Sequence, residues 1–396
     1  MNKGKEVARG KTKVLHESPE QADVLVVSQL DNISAGDGAR RNTIEGKGRL
    51  AAITTSRIFR LLNLCGLPTH YLAGGEDDDD NDMRVRRATM IPLEVVVRGV
   101  AAGSLVKRMP GIARGSIIVP RMVEFFLKDD ANHDPLIEPD EIVRRGLATP
   151  QDLGVMTELG RITYEILAHA WRRRDTLLVD LKIEFGRLTG ASDRGTLVIA
   201  DVVDNDSWRI WPQGREELML DKQMYRNLAE VTPADLERVR DAYVHVADQV
   251  ATFTQLRPAM IAIVAGSPST APRADELARA FGQFGIATTK RVASASRTPA
   301  YALQVVAQLE VTYPRLAFVA IGDDTANLID GATPSPVFPD RGDAPDVLAM
   351  AVAKSLALED TVLFGRVLLV QAGARSAILQ ADARATTVQR PNGTPA

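Results

Sequence analysis

Cysteine, long apolar runs and an excess of charge of one sign are all scarce in these 396 residues, and each shortage excludes something. A single cysteine, Cys65, rules out an internal disulfide framework and fits a reducing compartment. Its setting, Leu61-Leu62-Asn63-Leu64-Cys65-Gly66, reads as a buried helix end rather than a nucleophile. No stretch approaches about 18 uninterrupted apolar residues, and Met1 to Glu6 has no apolar signal core, so no membrane partner and a cytoplasmic location are expected. Lys and Arg number 48 against 51 Asp and Glu, a net charge of -3, which is not the balance of a chain that coats nucleic acid. Small anionic ligands would have to be met by local basic pockets. Around the first turn, neither GxxxxGK[ST] nor GxGxxG occurs, so no P-loop or Rossmann start is supported there. What is present is 45% apolar and 25% charged residues over a length that suggests two or three domains, the profile of a soluble globular enzyme.

The most informative stretch is Leu178 to Gly186, followed by Thr196 to Asp201. In an extended strand Asp180, Lys182 and Glu184 share one face, and Leu181, Ile183 and Phe185 the other. The linker from Arg187 to Gly195 is rich in Gly, Ser and Asp, so Thr196 to Ala200 should fold back as a hairpin and bring Asp201 near Asp180. Carboxylates crowded on one face beside a lysine suit Mg2+ carrying nucleotide phosphates. The solvated outer face of an antiparallel sheet alternates in the same way, so the neighbours must decide.

Several neighbours point to phosphate. Val7 to Leu30 alternates as two or three strands, with Arg9-Gly10-Lys11-Thr12-Lys13 at the first turn, where a glycine lets amides and ammonium groups approach a phosphate. The loop Asp31 to Arg40, with Asp37, is rich in small residues and can admit a ligand; a helix follows from about Glu45 to Cys65, ended by Gly66 and Pro68. The acidic run Glu76 to Asp82 reads as a solvated loop tip. Pro92 to Arg98 reads as a strand, and Ala101 to Arg108 as a turn opening a short helix. Arg98, Ser104 and Arg108 there are the parts of a phosphate-monoester pocket. In the loop after Phe126, Lys128 could hold phosphate and Asp130 could orient an amine, while His133 reads as a turn residue. Helical periodicity runs from about Met156 to Trp171, Arg209 is a second anion clamp, and a helix capped at Thr232 runs to about Phe253.

Beyond a linker at Thr254 to Pro258 the pattern changes. Met260 to Ala265, Ile286 to Val292 and Leu316 to Ile321 read as strands alternating with helices from about Arg273 to Phe284 and Thr298 to Glu310. That implies a parallel sheet covered on both faces, with ligands expected at the loops around Gly266, Ser294 and Gly322.

With these motifs in order, roughly residues 5 to 253 resemble SAICAR synthetase, the purine-pathway ligase that joins aspartate to CAIR using ATP. The likeness is carried by Gly10-Lys11-Thr12-Lys13, Ser34 to Gly38, Ala102 to Arg108, Phe126 to Asp130 and Val179 to Gly186. The segment Ala200 to Arg209 looks like the animal bifunctional form. The resemblance implies an α+β unit over 1–255, with antiparallel sheets and helices. It implies that Lys11 and Lys13 touch ATP phosphates and that Glu184 and Asp201 hold Mg2+. Arg98, Ser104 and Arg209 would receive the CAIR phosphate, Arg108, Asp37 and Asp130 would touch substrate, and Asp180, Lys182 and Lys128 would act between the substrates.

Residues 259–385 resemble the AIR carboxylase domain fused behind this synthetase in animals, an α/β three-layer domain, on Val264 to Ser269 and Val292 to Pro299. The chain departs from that family where it has Thr270 in place of an acid and Ser296 in place of a histidine. A carboxylation at an aminoimidazole carbon needs a group that moves a proton near neutral pH, which an unactivated serine does not. An inactive domain kept as a scaffold or homo-oligomer interface is therefore expected. The alternatives are a second working site and a regulatory nucleotide-binding module. The tail, 386–396, is expected to be disordered.

Overall fold

The computed structural model describes residues 2–36, 39–76, 81–129 and 132–385, with side chains to Ile378, and divides into two compact units, Met1–Thr254 and Gln255–Ala396. The first unit opens as an antiparallel meander of β1 (Glu6–Arg9), β2 (Lys13–Glu17) and β3 (Val24–Gln29). A hairpin, β4 (Asn32–Ala35) and β5 (Arg40–Thr43), leads into α1 (Lys47–Cys65). The helix stops where Gly66 takes a φ of 101° and caps the last turn with its N–H, leaving Cys65 buried as expected. Then β6 (Tyr71–Gly74) and β7 (Asp82–Arg86) complete a sheet of order β1-β2-β3-β7-β6. The acidic run is not wholly a solvated tip. Asp82 is a buried strand residue that accepts hydrogen bonds from Ser28 Oγ at 2.7 Å and Lys3 Nζ at 2.8 Å, while 77–80 lie outside the described residues.

The second sheet starts with β8 (Ala88–Val100), followed by the short α2 (Ser104–Arg108) and β9 (Ile117–Leu127). Two helices, α3 (Pro139–Arg144) and α4 (Pro150–Arg172), precede β10 (Thr176–Leu188), β11 (Leu197–Ala200) and β12 (Trp208–Pro212); α5 (Gln223–Arg226) and α6 (Pro233–Ala251) close the unit. Central to this sheet is β10. One edge pairs with β8, and the other is shared by β12 over Thr176–Leu181 and β11 over Glu184–Arg187. Leu181, Ile183 and Phe185 are at most 1% exposed, on the face covered by α4. The opposite face is not solvated either, since Asp180 is 7% and Glu184 3% exposed. Charges so placed need partners.

Two helix starts follow from the same device. Thr232 and Asp235 form a capping box at α6, and Thr149 and Asp152 form one at α4, which begins at Pro150 rather than at the expected Met156.

In the second unit β13 (Met260–Ala265), α7 (Ala271–Gly282), β14 (Ala287–Val292), α8 (Pro299–Thr312), β15 (Leu316–Ile321), α9 (Asp323–Asp330), β16 (Val337–Asp340), α10 (Pro345–Ala357) and α11 (Thr361–Ala385) follow in turn. The strands form a parallel sheet of order β14-β13-β15-β16. Alternate residues of β13 feed two cores, Ile261 and Ile263 packing with Leu277, Phe281 and Val352, and Ala262 and Val264 with Val305, Leu309 and Ile329. Helices thus cover both faces. The segment after Gly322, expected as a loop, forms α9 directly. By length and composition alone, Thr361–Ile378 could cross a membrane, with a mean hydropathy of 1.2. Its first turns are core, however: Leu363 and Val367 are buried and Arg366 donates to the Phe284 and Gly285 carbonyls.

Candidate active site

The polar face of β10 builds the site position by position. Asp180 stands opposite Arg98 on β8 and Arg209 on β12, and its Oδ2 accepts from Arg98 Nη1 at 3.2 Å and Arg209 Nη1 at 2.8 Å. Arg98, 3% exposed, also donates to Glu124 and to Ser104 Oγ at 3.3 Å. Arg108 binds the other oxygen of Glu124 at 2.7 Å, with its guanidinium over the Phe126 ring. Gly103, just before α2, has a φ of 56°, and a Cβ built on it would overlap the Arg209 guanidinium. The turn is therefore shaped to let two arginines and a serine hydroxyl converge beside one carboxylate.

Two strand positions further, lysines take over. Lys182 Nζ donates to Glu94 Oε1 at 2.6 Å and Glu184 Oε1 at 3.4 Å, and Lys128 Nζ to Glu184 Oε2 at 2.6 Å. Lys13 at the start of β2 pairs with Asp201. Burial pushes Lys13 down to about 8, helped by the neighbouring Lys128 and Lys182 charges and opposed by Glu184. Burial works against the charged forms of Lys182 and Glu184 as well. The carboxylates around Lys182 outweigh it and raise that lysine, and the lysines around Glu184 outweigh it and hold that carboxylate below its ordinary value.

One expectation is corrected here. The hairpin forms, but its register sets Glu184 opposite Ala200, so Asp201 adjoins Glu184 and stands about three strand positions, roughly 10 Å, from Asp180. Hence the carboxylates do not gather as one triad, and among the described residues no three His, Cys, Asp or Glu side chains converge on a metal-sized site. Lys11 lies on the exposed β1–β2 turn, two residues from Lys13. Asp37 and Asp130 lie outside the described residues.

Above the strand is a cleft of about 410 Å³ lined by Arg98, Ser104, Asp180, Lys182 and Arg209, and by residues that sequence reading did not single out: Glu94, Asp206, Lys222 and Arg226. His133, expected only to turn the chain, has a φ of 61° and also lines it. Glu94 could have been found, because alternation along Pro92 to Arg98 puts it on the face of Arg98. Asp206 sits in the loop between β11 and β12, and no periodic signal marks Lys222. Asp206 accepts from Lys222 Nζ at 2.7 Å and Tyr243 OH at 2.6 Å. Burial opposes its charge, but Lys47 and Lys222 hold it well below the usual carboxylate range; burial and Asp206 push the adjacent Asp204 up.

In the second unit the loops at the carboxyl ends of the strands are rich in hydroxyls that satisfy one another. Ser267 Oγ lies 2.7 Å from Ser269 Oγ, Thr270 Oγ1 donates to the Ser267 carbonyl at 2.9 Å, and Ser294 Oγ accepts from Arg297 N at 3.1 Å.

An α+β unit of two five-stranded sheets and a hairpin, with arginines and lysines set among carboxylates on a buried sheet face, is the core of an enzyme suited to polyanionic ligands. The SAICAR synthetase family profile matches residues 6–242, more than half of the 396, and the chain belongs to that family. Phosphoribosylaminoimidazole-succinocarboxamide synthase of Roseiflexus sp. is 48% identical over 249 residues, 63% of this chain and 97% of the relative. A solved structure described as SAICAR synthetase (Type-2) in complex with ADP is 31% identical with a TM-score of 0.54, covering 62% of this chain and 97% of that one. The bifunctional phosphoribosylaminoimidazole carboxylase/phosphoribosylaminoimidazole succinocarboxamide synthetase of Drosophila melanogaster is 36% identical over 343 residues, 84% of this chain and 78% of the relative. That alignment is longer than the whole first unit, so the likeness continues into the second.

Proposed function

We propose that the first unit is an ATP-dependent ligase that joins L-aspartate to the carboxylate of CAIR, giving SAICAR, ADP and phosphate. The observation that carries this reading is one buried sheet face on which Arg98, Ser104 and Arg209 adjoin Lys13, Lys128 and Lys182 around Glu184. A carboxylate is a poor electrophile. Transfer of the γ-phosphoryl group to it makes an acyl phosphate; the amine nitrogen then attacks the carbonyl carbon, the new C–N bond forms and the C–O bond to phosphate breaks. Lys11 and Lys13 serve the nucleotide phosphates, and Arg98, Ser104 and Arg209 the CAIR phosphate, with Arg108 holding Glu124 behind Arg98. Asp180 and Lys182 lie between the substrates, and Lys128 stabilises phosphoryl charge in transit. Asp37 and Asp130 keep the substrate contacts that the resemblance gives them. ADP in the solved relative supports the nucleotide assignment.

Mg2+ fits this donor set. Glu184 and Asp201 offer hard oxygens beside lysines, and Mg2+ is commonly held by one or two carboxylates, with phosphate oxygens and waters completing its shell. When bound it would neutralise charge on the transferring phosphoryl group.

The test is ADP release from the full chain with ATP, Mg2+, CAIR and aspartate, omitting each in turn. Turnover should require all of them, and Glu184→Gln should lower it at least a thousandfold while circular dichroism stays unchanged. ADP release that ignores CAIR, or near-normal turnover in Glu184→Gln, would sink the reading.

For the second unit we propose a scaffold or homo-oligomer interface without carboxylase activity. Beyond Ser296 and Thr270, no histidine and no cysteine occurs between 255 and 396, so no side chain there ordinarily titrates near neutrality.

A further inference from the structure

The pair Arg98 and Asp180 stands where three strand ladders break off together. The β8–β10 ladder ends at these two residues. Between β10 and β12 the register slips from Leu178 to Asp180, and between β8 and β9 it slips from Arg98 to Val100. Val179 and Gly99 fall at the slips, each next to a member of the pair. Irregularities of this kind re-aim the side chains beside them, and they hold one geometry only if something fills the gap.

Tyr164 on α4 fills it. The side chain is 2% exposed, and its hydroxyl donates to the Leu178 carbonyl at 2.7 Å, two residues before Asp180. Gly99 has no side chain because the phenol occupies its place: a Cβ built there would lie 1.8 Å from the hydroxyl oxygen and 2.4 Å from Cζ. Tyr164 therefore touches both strands of the pair, while Tyr164, Gly99 and Leu178 are all absent from the lining of the cleft. Arg121 braces the ring from outside, 5.2 Å from its centroid, and is itself held by Glu165 at 2.7 Å and the Ile118 carbonyl at 3.1 Å. Burial pushes the phenol above its ordinary value, against the Arg121 charge, so the hydroxyl stays protonated and donates. Beside the ring is a hollow of about 380 Å³ bounded by Ala168 and Arg172, so packing on that side does not fix the phenol, and its hydroxyl bond does.

We propose that Tyr164 is a positioning residue for the phosphate clamp: its hydroxyl holds the interrupted end of β10 at the place from which Asp180 draws Arg98 and Arg209 together, and so it governs CAIR binding without touching substrate. This rests on the ligase reading above and deepens it. Asp180 Oδ2 is shared by both guanidiniums, at 3.2 Å from Arg98 and 2.8 Å from Arg209, so a small shift of that one carboxylate moves the whole clamp. A tyrosine that merely filled the core would, when altered, loosen the sheet and affect every substrate alike.

Tyr164→Phe keeps the ring and removes the hydroxyl. In the full chain, with each of the three substrates varied in turn, the KM for CAIR should rise about fivefold, the loss of one ordinary hydrogen bond, while kcat and the KM values for ATP and aspartate stay within about twofold. Arg121→Gln frees the ring from outside and leaves the core filled, so it should raise the CAIR KM in the same selective way, by about threefold, and it carries the test if Tyr164→Phe does not fold. Where Arg98→Lys has already displaced the clamp, adding Tyr164→Phe should change the CAIR KM by less than about twofold, because the two residues act through one geometry. An unchanged CAIR KM in the folded variants, equal shifts in all three KM values, or full additivity with Arg98→Lys would overturn this assignment alone. A wild-type chain that releases no CAIR-dependent ADP would overturn the ligase reading and this one with it.

Discussion

Single residues at this site matter through the balance of charge around them. Glu184 stays ionised although buried because three lysines outweigh the loss of water, and Lys182 stays charged because two carboxylates do the same for it. His70 has no such support. It is 6% exposed, its ring packs edge-on against Phe59 with centroids 5.1 Å apart, its Nε2 has no hydrogen-bond partner, and burial, aided by the charges of Lys13 and Arg86, pushes it down to about 3. Unfolded, it would titrate near 6.5. Between those two values the unfolded chain binds the extra proton, so stability rises with pH: the contribution is complete above about 6.5 and is lost as pH falls toward 3. At pH 5 the loss is about 2 kcal/mol. His70→Leu should remove about that much of the difference between pH 7 and pH 5, read from urea unfolding by tryptophan fluorescence. All three tryptophans, Trp171, Trp208 and Trp211, belong to the first unit, so the signal reports it alone. An unchanged pH dependence would refute the assignment. At this scale the sequence was legible wherever chemistry followed local alternation, as with Asp180, Lys182 and Glu184. It was silent on Lys222 and Arg226, whose place in the cleft depends on where a helix some 40 residues further on comes to rest.

At the scale of elements, β10 works because two different strands share its second edge. The chain crosses between them at Asp201 to Ser207, and the backbone N–H of Lys182 is taken by the Ser207 carbonyl at 2.7 Å where the ladder is interrupted. The hairpin could be read from composition, but its register could not, which is why Asp201 was expected near Asp180 and belongs beside Glu184. The early start of α4 is a different kind of miss: Thr149, Pro150 and Asp152 carry a complete start signal that apolar periodicity alone passed over. Helix α2 and its turn yield a prediction at this scale. Gly103→Ala would force a left-handed alanine and push a methyl group into the Arg209 guanidinium. On the proposed role of Arg209 at the CAIR phosphate, the KM for CAIR should rise at least tenfold, with the KM for ATP within twofold. Equal shifts in both would point to general loosening of the sheet instead.

For the whole molecule, the two units stand on different footings. The Roseiflexus relative is matched over 97% of its length by 63% of this chain, a stretch of 249 residues, about the size of the first unit. The first unit also owns the buried sheet face, the cleft and the cap-to-cap helices that hold it. A chain ended after Thr254 should therefore fold and keep its kcat/KM for CAIR within about threefold. Full-length protein given AIR and bicarbonate should make no CAIR, since the second unit has no histidine to move the proton that the chemistry requires. Both are read by following ADP and CAIR in the same assay on the two chain lengths. Carboxylation by the full chain would mean that hydroxyls at Ser267, Ser294 or Ser296 are activated by groups not evident in their present hydrogen bonding, and would restore a second working site. Loss of ligase activity on truncation would mean that the second unit supports the first, for which assembly into an oligomer is the direct physical route: a scaffold can stabilise a neighbouring active site without touching substrate, by binding free energy that the isolated unit lacks.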